Sequence, residues 1–444
     1  MKHILKFLTL IIILVSVYFY FALYPKFDII NGFSSKSIAS HKFIADRSQS
    51  QTEKEDNDIP SMNLATSTLN EKDKSVNSKV VIFKNRTSKF KDGLGAILIP
   101  HGKENEPINI PKPNRNKQTI NKPYPSGNLK PIDTIFNTID YAKINKAIDF
   151  AFEDKHKTRS VLVLYKGHLI SEKYAENFDK NSIILGWSMT KSVTSTILGV
   201  LEKQEKVNLD QKFLFPIWED DSRKEITLKN LLNMNSGLEW LEDYGKICDV
   251  TKMLFIEPKM SKVQLEKQFA GKPNESWNYS SGTTNLLSEF IRNRFGTHQE
   301  YLDFWYTEFI DKIGMHSMLI ETDYSGTYVG SSYGWATTRD WAKYGQFYLQ
   351  NGMWNGEQII NKSWVDFTKE PTNTSNGDYG GHFWLNAGKY FKDAPENMYS
   401  ANGYQGQRVF ILPTQELVIV RTGLKSSSDF DMNLFLKGIL SSLE

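Results

Sequence analysis

The sequence is poor in the residues from which metal and redox sites are built. The 444-residue chain has one cysteine, Cys248, which excludes an intramolecular disulfide and any Cys-x-x-Cys site. Its eight histidines do not cluster at the spacing of metal ligands, and no His-Glu-x-x-His motif occurs. The net charge of only +3, with lysines and arginines scattered along the chain, argues against a nucleic-acid partner. We therefore expect neither a metal nor another cofactor, and the oligomeric state stays open.

Residues 1–27 have the composition of a membrane anchor or signal sequence. They begin with Lys2, His3 and Lys6 and then run apolar from Phe7 to Tyr24, about the length of one helix across a bilayer. The basic start predicts that the remainder of the chain is exported to the periplasmic or extracellular side. No small-residue cleavage site follows the run. An uncleaved single-pass anchor in the cell membrane is therefore favoured over a signal peptide, whose removal would give a secreted protein.

Residues 28–130 are predicted to be a polar, partly disordered accessory segment and linker. Gln49 to Lys79 has almost no apolar content, which is typical of a disordered chain. Two short apolar runs, Val80–Phe83 and Leu94–Ile99, could be strands of a small appendage. Prolines recur between Pro107 and Pro131, which indicates an extended linker.

Residues 131–444 have the pattern of a folded domain. A β-hairpin is predicted at Ser160–Tyr165 and His168–Tyr174, and two further strands at Gln407–Leu412 and Glu416–Arg421. The apolar residues between Met432 and Leu443 recur at helical spacing and predict a closing helix. Strands at both ends with mostly helices between them indicate an α+β fold. We expect an antiparallel sheet of about five strands, flanked by N- and C-terminal helices, with an inserted helical region.

The segment Gly186-Trp187-Ser188-Met189-Thr190-Lys191-Ser192 opens a long helical run. Ser188 and Lys191 are three residues apart, so their side chains share one helix face and can touch. A serine hydroxyl becomes a good nucleophile when a neighbouring base takes its proton. At the first turn of a helix, the N–H of Ser188 would also face an oxyanion. Ser-x-x-Lys alone recurs by chance, however, and is equally typical of a solvated helix face.

A lysine can act as the base only if its surroundings lower its pKa. Its free side chain titrates near ~10.4, so the pKa must fall by about three units, roughly 4 kcal/mol, before it accepts a proton at neutral pH. Burial or a nearby positive charge can supply that shift, and a phenol that relays the proton eases it. Tyr279, in the segment Trp277-Asn278-Tyr279-Ser280-Ser281-Gly282, is the candidate for this relay. Most of the twenty tyrosines must be ordinary packing residues.

Four blocks carry a family resemblance: Gly186–Ser192, Ile226–Leu238, Trp277–Ser281 and Tyr404–Gln407. Through them, residues 138–422 resemble the serine hydrolases of the class C β-lactamase and penicillin-binding superfamily. More narrowly, the chain looks like the 6-aminohexanoate-dimer hydrolase and carboxylesterase branch. The blocks stand in the family's order, which is far more specific than Ser-x-x-Lys alone.

The resemblance implies a β-lactamase/transpeptidase-like fold and an acyl-enzyme mechanism without a metal. Ser188 would be the nucleophile, Lys191 would lower its pKa, and Tyr279 would pass the proton to the leaving group and later activate water. Ser281 would help to hold the substrate or the lysine. The backbone N–H groups of Ser188 and Tyr404 would form the oxyanion hole, with Gly403 beside them.

One departure from the family bears on the substrate, a small-molecule ester or amide. β-Lactamases and penicillin-binding proteins carry a Lys-Thr-Gly strand, whose lysine binds the substrate carboxylate, whereas the matching residues here are Ala401-Asn402-Gly403. The later Arg421-Thr422-Gly423 is interpreted as strand-end structure. Esters or linear amides are therefore favoured over β-lactams. The segment Glu239–Tyr244 is expected to rim the cleft, although a solvated acidic loop is an equal alternative for each of its residues.

Three alternatives stay open. The activity of a penicillin-interactive D,D-carboxypeptidase or β-lactamase is the first, and a non-catalytic envelope protein that keeps the fold for binding is the second. The third is a different nucleophile, because Gly330-Ser331-Ser332-Tyr333-Gly334 matches Gly-x-Ser-x-Gly and is followed by Asp340, Asp366 and His382. The residues before that motif are polar and turn-like rather than a buried strand. We expect Ser331 or Ser332 to cap the helix 337–349 instead.

Overall fold

The computed structural model describes residues 2–425 and 428–443. Its α-helices are α1 (Lys2–Tyr18), α2 (Tyr24–Ala45), α3 (Gln49–Lys54), α4 (Tyr141–Ala151), α5 (Met189–Lys203), α6 (Leu228–Leu232), α7 (Asp249–Phe255), α8 (Ser261–Leu265), α9 (Ser281–Arg292), α10 (His298–Trp305), α11 (Thr338–Leu349), α12 (Lys362–Lys369) and α13 (Met432–Leu440). Its strands are β1 (Ala65–Asn70), β2 (Ser75–Val80), β3 (Phe83–Lys91), β4 (Gly95–Leu98), β5 (Thr158–Tyr165), β6 (His168–Tyr174), β7 (Ile183–Leu185), β8 (Leu319–Ile320), β9 (Gly334–Thr337), β10 (Met353–Trp354), β11 (Glu357–Gln358), β12 (Tyr379–Gly380), β13 (Phe383–Leu385), β14 (Tyr399–Gly403), β15 (Gln407–Leu412) and β16 (Leu417–Gly423).

The main sheet joins the two ends of the folded domain. Its order is β12-β13-β14-β15-β16-β5-β6, and every pair is antiparallel. Five of these strands are long, as the sequence predicted, and the short β12 and β13 extend one edge. Helices α5 to α12 lie between β7 and β14 in the chain, so the inserted helical region is also confirmed.

Alternation along β5 explains why both faces of this sheet are covered. Successive side chains of a strand point to opposite faces. Val161 and Val163 belong to the apolar cluster that includes α4 and α13, whereas Leu162 and Leu164 belong to the larger cluster that includes α5 and α11. All four side chains are fully buried. The terminal helices therefore cover one face, and the helices of the inserted region cover the other.

Residues 24–98 form a helix on a small sheet. Helix α2 packs on the antiparallel sheet β1-β2-β3-β4, so the stretch Gln49–Lys79, predicted to be disordered, forms α3, β1 and β2. Few apolar residues suffice because only one face of the sheet is covered: Val76 and Val80 are buried, while Lys79 between them is exposed. The low apolar content of the segment is explained by the face of the sheet that is exposed to solvent.

The apolar run Val80–Phe83 is not one strand. Strand β2 ends at Val80 and β3 begins at Phe83, so Val81 and Ile82 form the turn between them. The second run is strand β4, as predicted. After β4, residues 99–140 contain no helix or strand and are fixed to the folded domain by side chains. Arg115 pairs with Asp311 and donates to the Met318 carbonyl at 2.6 Å.

Glu321 joins the N-terminal helix to the rest of the protein. Its carboxylate is buried and accepts hydrogen bonds from Ser40 on α2, from the backbone N–H of Ala96 and from the indole of Trp335. Lys36, also on α2, lies 2.6 Å from the same carboxylate. One buried group therefore connects α2, β4 and β9.

The N-terminal helix continues far beyond the apolar run. Lys2–Ala45 is one helical segment with a π-helical turn at Phe19–Leu23, and by length and composition it can cross a membrane. Residues of α1 are uniformly unburied, whereas most of Asp28–His41 is buried against the folded chain. The apolar part of the helix thus stands free of the protein, and the polar part is built into it.

Replacing Glu321 by alanine should strongly destabilise the protein. The change would leave the Lys36 ammonium buried without its partner, which typically costs about 3–5 kcal/mol of unfolding free energy. The measurement is chemical denaturation of the full-length protein in detergent, followed by circular dichroism. Glu71→Ala is the matched control, because Glu71 is exposed in its pair with Lys42, and such a pair should contribute about 0–1 kcal/mol. Equal losses in the two variants would contradict the central position of Glu321.

Candidate active site

A tight turn presents Ser188 at the start of α5. Strand β7 ends at Leu185, and Ser188 occupies the N-cap position of the helix. A β-carbon at Gly186 would lie 2.4 Å from the Trp341 ring, so the turn packs too closely for any other residue. Trp187 has a φ of 49°, a left-handed conformation that is costly for a bulky residue and is often stored at functional sites. The turn thus holds the hydroxyl of Ser188 in one place.

Lys191 lies beneath Ser188 with its amine buried. Its Nζ is 3.0 Å from Ser188 Oγ, 2.9 Å from Ser281 Oγ and 2.9 Å from the carbonyl oxygen of Ser331. Burial lowers the pKa of the Lys191 amine to about 8, partly opposed by the negative charge of Glu242. At a pH near 8 about half of the amine is neutral and able to accept a proton.

Tyr279 lies on the other side of Ser188. Its ring centroid is 4.7 Å from Lys191 Nζ, and its hydroxyl is within hydrogen-bonding reach of Ser188. Burial and the charge of Glu242 raise the pKa of the Tyr279 phenol above its ordinary value, an effect that the Ser188 hydroxyl and Arg408 only partly offset. Tyr279 therefore carries its proton at neutral pH.

Glu242 is the acidic group of the site. Its carboxylate accepts from the Ser281 hydroxyl at 2.5 Å and from the Ser281 N–H at 2.8 Å. The Trp240 indole and the Tyr244 hydroxyl also donate to it, at 2.6 and 3.0 Å. Because Ser281 is the first residue of α9, the negative charge also faces the positive end of a helix. The carboxylate has four donors and is held firmly in place.

The end of β14 closes the site opposite Ser188. A β-carbon at Gly403 would lie 2.1 Å from the carbonyl oxygen of Gly186, so only glycine lets this strand approach the turn that carries Ser188. Tyr404 follows, and buried Arg421 donates to the carbonyls of Gln405 and Gly406 just beyond it. Arg421 is therefore a structural residue, as predicted, and it fixes the turn that carries Tyr404.

These residues border one cavity with a volume of about 410 Å³. Ser188, Tyr279, Gly403 and Tyr404 line it directly, while Lys191 and Ser281 lie in the wall behind. The structure thus brings all six predicted site residues together. Most of the remaining lining is apolar or aromatic: Tyr244, Trp384, Leu385, Tyr390, Phe391 and Met398.

Three charged residues that line the cavity, Glu242, Asp378 and Arg408, were not predicted as such. Glu242 lies in the segment expected to rim the cleft, but the sequence alone gave no role to its carboxylate. Arg408 pairs with Asn402 across β14 and β15, and it is one of the residues that line the cavity. Burial lowers the pKa of Arg408 to about 10, which leaves it charged at neutral pH. The premise that this wall has no cation because Ala401-Asn402-Gly403 has no lysine is therefore wrong.

The alternative nucleophile is not assembled with its proposed partners. His382 bonds to the Leu232 carbonyl and to Thr284, and burial lowers the pKa of its ring to about 3. Asp340 accepts from Ser317, and Asp366 pairs with surface lysines. Nor do Ser331 and Ser332 cap α11, because Thr337 holds that position. Instead, Ser331 supplies the carbonyl that accepts from Lys191.

Several proteins of known structure are similar to this chain at low sequence identity. A protein from Bacillus anthracis described as a 6-aminohexanoate-dimer hydrolase aligns over 65% of this chain and 79% of its own, with 20% identity and a TM-score of 0.55. A family VIII carboxylesterase aligns over 68% and 97%, with 14% identity and a TM-score of 0.53. A penicillin-binding protein from Bacillus halodurans aligns over 67% and 99%, with 15% identity and a TM-score of 0.52. These likenesses establish the fold.

No curated protein matches the chain by sequence. The sequence profile of the β-lactamase family, in contrast, matches residues 150–432, which is well over half of the chain. The matched stretch contains Ser188, Lys191 and Tyr279 as well as the wall formed by β14 and β15. The chain therefore belongs to the β-lactamase family.

Proposed function

We propose that the protein is a serine hydrolase that cleaves ester or linear amide bonds through an acyl-enzyme on Ser188. The observation that carries the proposal is the contact of 3.0 Å between Ser188 Oγ and the buried amine of Lys191, whose pKa is lowered to about 8. A lysine held near neutrality beside a hydroxyl is what an activated serine requires. A protein kept only for binding would have no need of that pair.

The proposed reaction begins with the neutral amine of Lys191. It takes the proton of Ser188 while the oxygen attacks the substrate carbonyl, and the N–H groups of Ser188 and Tyr404 stabilise the oxyanion. Tyr279 then donates its proton to the leaving group, which departs as the alcohol or amine. The phenolate takes a proton from water as the hydroxide attacks the acyl-enzyme. Lys191 returns its proton to Ser188, and every group is restored.

Glu242 is proposed to direct the protons of this network. Because the Ser281 hydroxyl donates to Glu242, the same hydroxyl can only accept from Lys191. The carbonyl of Ser331 can likewise only accept. A neutral lysine donates to these two groups and keeps its lone pair for the proton of Ser188. Glu242 is thus a positioning residue that acts through Ser281.

The cavity supports a small substrate with an apolar part. Its aromatic lining favours an apolar acyl or leaving group, and the carboxylesterase and 6-aminohexanoate-dimer hydrolase named above are similar folds. Arg408 supports a second candidate, a penicillin-interactive D,D-carboxypeptidase or β-lactamase, because its charge can bind a substrate carboxylate. Stable acylation of Ser188 by a penicillin would favour this second candidate.

The N-terminal helix is proposed to anchor the protein in the cell membrane, with the catalytic domain on the exported side. The unburied apolar stretch of α1 has the length of a bilayer core. Removal of α1 by a signal peptidase remains the competing fate. The continuous helix into α2, which is packed into the folded domain, favours an intact anchor.

Ser188→Ala should reduce kcat/KM for a short-chain p-nitrophenyl ester by at least about 10⁴-fold, because the hydroxyl that forms the acyl-enzyme is gone. The release of p-nitrophenol measures the reaction. Ser332→Ala is the matched control, since the Ser332 hydroxyl bonds, among the described residues, only to the neighbouring Ser331 hydroxyl, and it should keep full activity. Full activity in Ser188→Ala would overturn the mechanism.

Tyr279→Phe should slow acylation by two substrates to different extents, because their leaving groups differ. Single-turnover acylation by an amide should fall by about 10²–10⁴-fold, because an amine needs a proton from a general acid to depart. Acylation by a p-nitrophenyl ester should fall much less, since p-nitrophenolate leaves unprotonated. Tyr379→Phe is the control, because that buried hydroxyl has no partner among the described residues. Equal losses with both substrates would argue against an acid role for Tyr279.

The pH dependence of kcat/KM should follow the pKa of Lys191, which the charge of Glu242 raises. Activity should rise as the pH increases through about 8, because the protonated amine cannot accept the proton of Ser188. In Glu242→Gln, the charge that raises the Lys191 pKa is absent, so the rise should move to lower pH. The plateau should fall roughly 10- to 100-fold, since a hydrogen bond to a charged group worth about 1.5–3 kcal/mol is lost.

Glu266→Gln, at the exposed residue that follows α8, is the control for this profile and should leave it unchanged. A merely structural role for Glu242 would lower the plateau without moving the rise in activity. That outcome would contradict its action through the lysine.

A further inference from the structure

The turn between β2 and β3 does not have the chemistry of a water-facing hairpin. Val81 and Ile82 occupy its tip, with 70% and 77% of their surfaces exposed. Val81 also has a φ of 56°, which is a genuine outlier for a β-branched residue. Two-residue hairpin turns ordinarily use Asn-Gly or Asp-Gly, which adopt such backbone angles at little cost and are well solvated. Neither backbone preference nor contact with water therefore explains why Val81 and Ile82 occupy this tip.

The tip lies beside the last turns of the apolar N-terminal helix. Phe83, the residue after the turn, has its ring centroid 5.6 Å from that of Phe19, 6.0 Å from that of Tyr24 and 6.2 Å from that of Phe27. Lys84 Nζ lies 4.6 Å from the centroid of the Tyr24 ring. The hairpin therefore lies beside the end of the apolar run of the helix, near Tyr24.

From the apolar run of the helix toward the folded domain, the side chains around this point change from apolar to aromatic to basic. Phe19 is within the apolar run Phe7–Tyr24, while Tyr18, Tyr20 and Tyr24 form a group of tyrosines near its end. Exposed Lys26 and Lys79 lie just beyond, on the helix and on β2. Aromatic side chains followed by lysines are typical of the boundary between hydrocarbon and headgroups.

We propose that the Val81–Ile82 tip inserts into the outer boundary of the bilayer as a second membrane contact beside the helix. This inference rests on the membrane anchor proposed above. If Phe19 is in or at the edge of the hydrocarbon, the adjoining hairpin tip meets the same layer, and its two apolar side chains leave water. The occupant of this apolar surface is therefore lipid, with Lys26 and Lys79 placed for anionic headgroups.

Such a contact changes what the anchor does. A single helix followed by a flexible linker would let the catalytic domain tumble above the membrane. A helix and a hairpin at separate points fix its tilt, because α2 and the sheet β1-β2-β3-β4 pack on each other and α2 is tied to the domain through Glu321. The direction in which the catalytic cleft opens is then set relative to the bilayer.

The test uses the full-length protein in vesicles of phosphatidylcholine and phosphatidylglycerol. Ile82→Cys is labelled with the environment-sensitive dye NBD, and quenching by lipids that carry a nitroxide near the headgroup is measured. Lys72→Cys, on the exposed turn between β1 and β2, is the matched aqueous control. Ile12→Cys within α1 reports the anchor itself. The unmodified chain, whose only cysteine is buried, provides the blank.

We expect emission from the Ile82 label to be blue-shifted and quenched at least twofold more than emission from the Lys72 label. Equal, water-like signals at residues 82 and 72, with strong quenching at residue 12, would overturn the insertion and leave the anchor intact. A blue shift at residue 82 without quenching by lipid would mean that a protein surface covers the tip, which also overturns the proposal. Absence of quenching at residue 12 would overturn the anchor, and the hairpin contact with it.

Discussion

The burial of one amine organises the centre of this protein. Lys191 is enclosed by α5, α9 and the segment before β9, and each contributes an oxygen within 3.0 Å of its Nζ. Moving its pKa from 10.5 to about 8 corresponds to roughly 3 kcal/mol against the charged form. The surrounding helices must therefore pack tightly enough to exclude water. The same packing fixes Ser188 and Ser281, so the reactivity of the site and the stability of its walls depend on one arrangement.

The parts of this site that are local in sequence could be predicted, and those that depend on distant strands could not. Ser188 and Lys191 are one helical turn apart, so any helix at that position brings them together. Arg408 enters the cavity only because β15 pairs with β14 in one register, which sequence spacing does not reveal. The bond between Glu242 and Ser281 likewise joins a loop to a helix that begins 39 residues later.

Composition was a poor guide to order in the N-terminal region. The composition of Gln49–Lys79 predicts disorder because its strands bury few side chains, all on a single face. The helix that covers that face comes from earlier in the chain. The run Val80–Phe83 reads as a strand because apolar β-branched residues are common in strands. The structure instead places its two middle residues in a turn, where local propensity gives no reason for them. In the domain after residue 130, where both faces of the sheet are buried, periodicity and composition agree, and four of the five long strands, β5, β6, β15 and β16, were predicted by position.

The unbroken path from α1 into α2 sets the distance between the apolar N-terminal segment and Ser188. Ser37 is thirteen residues after Tyr24 in the sequence, a rise of about 20 Å along a helix. Ser37 and Trp187, the neighbour of Ser188, line one small cavity. If the proposed anchor places Tyr24 at the membrane boundary and the helix runs along the membrane normal, Ser188 lies about 20 Å above the lipid. Under that anchor, a membrane-bound substrate must present its ester or amide bond about 20 Å above the lipid to reach Ser188.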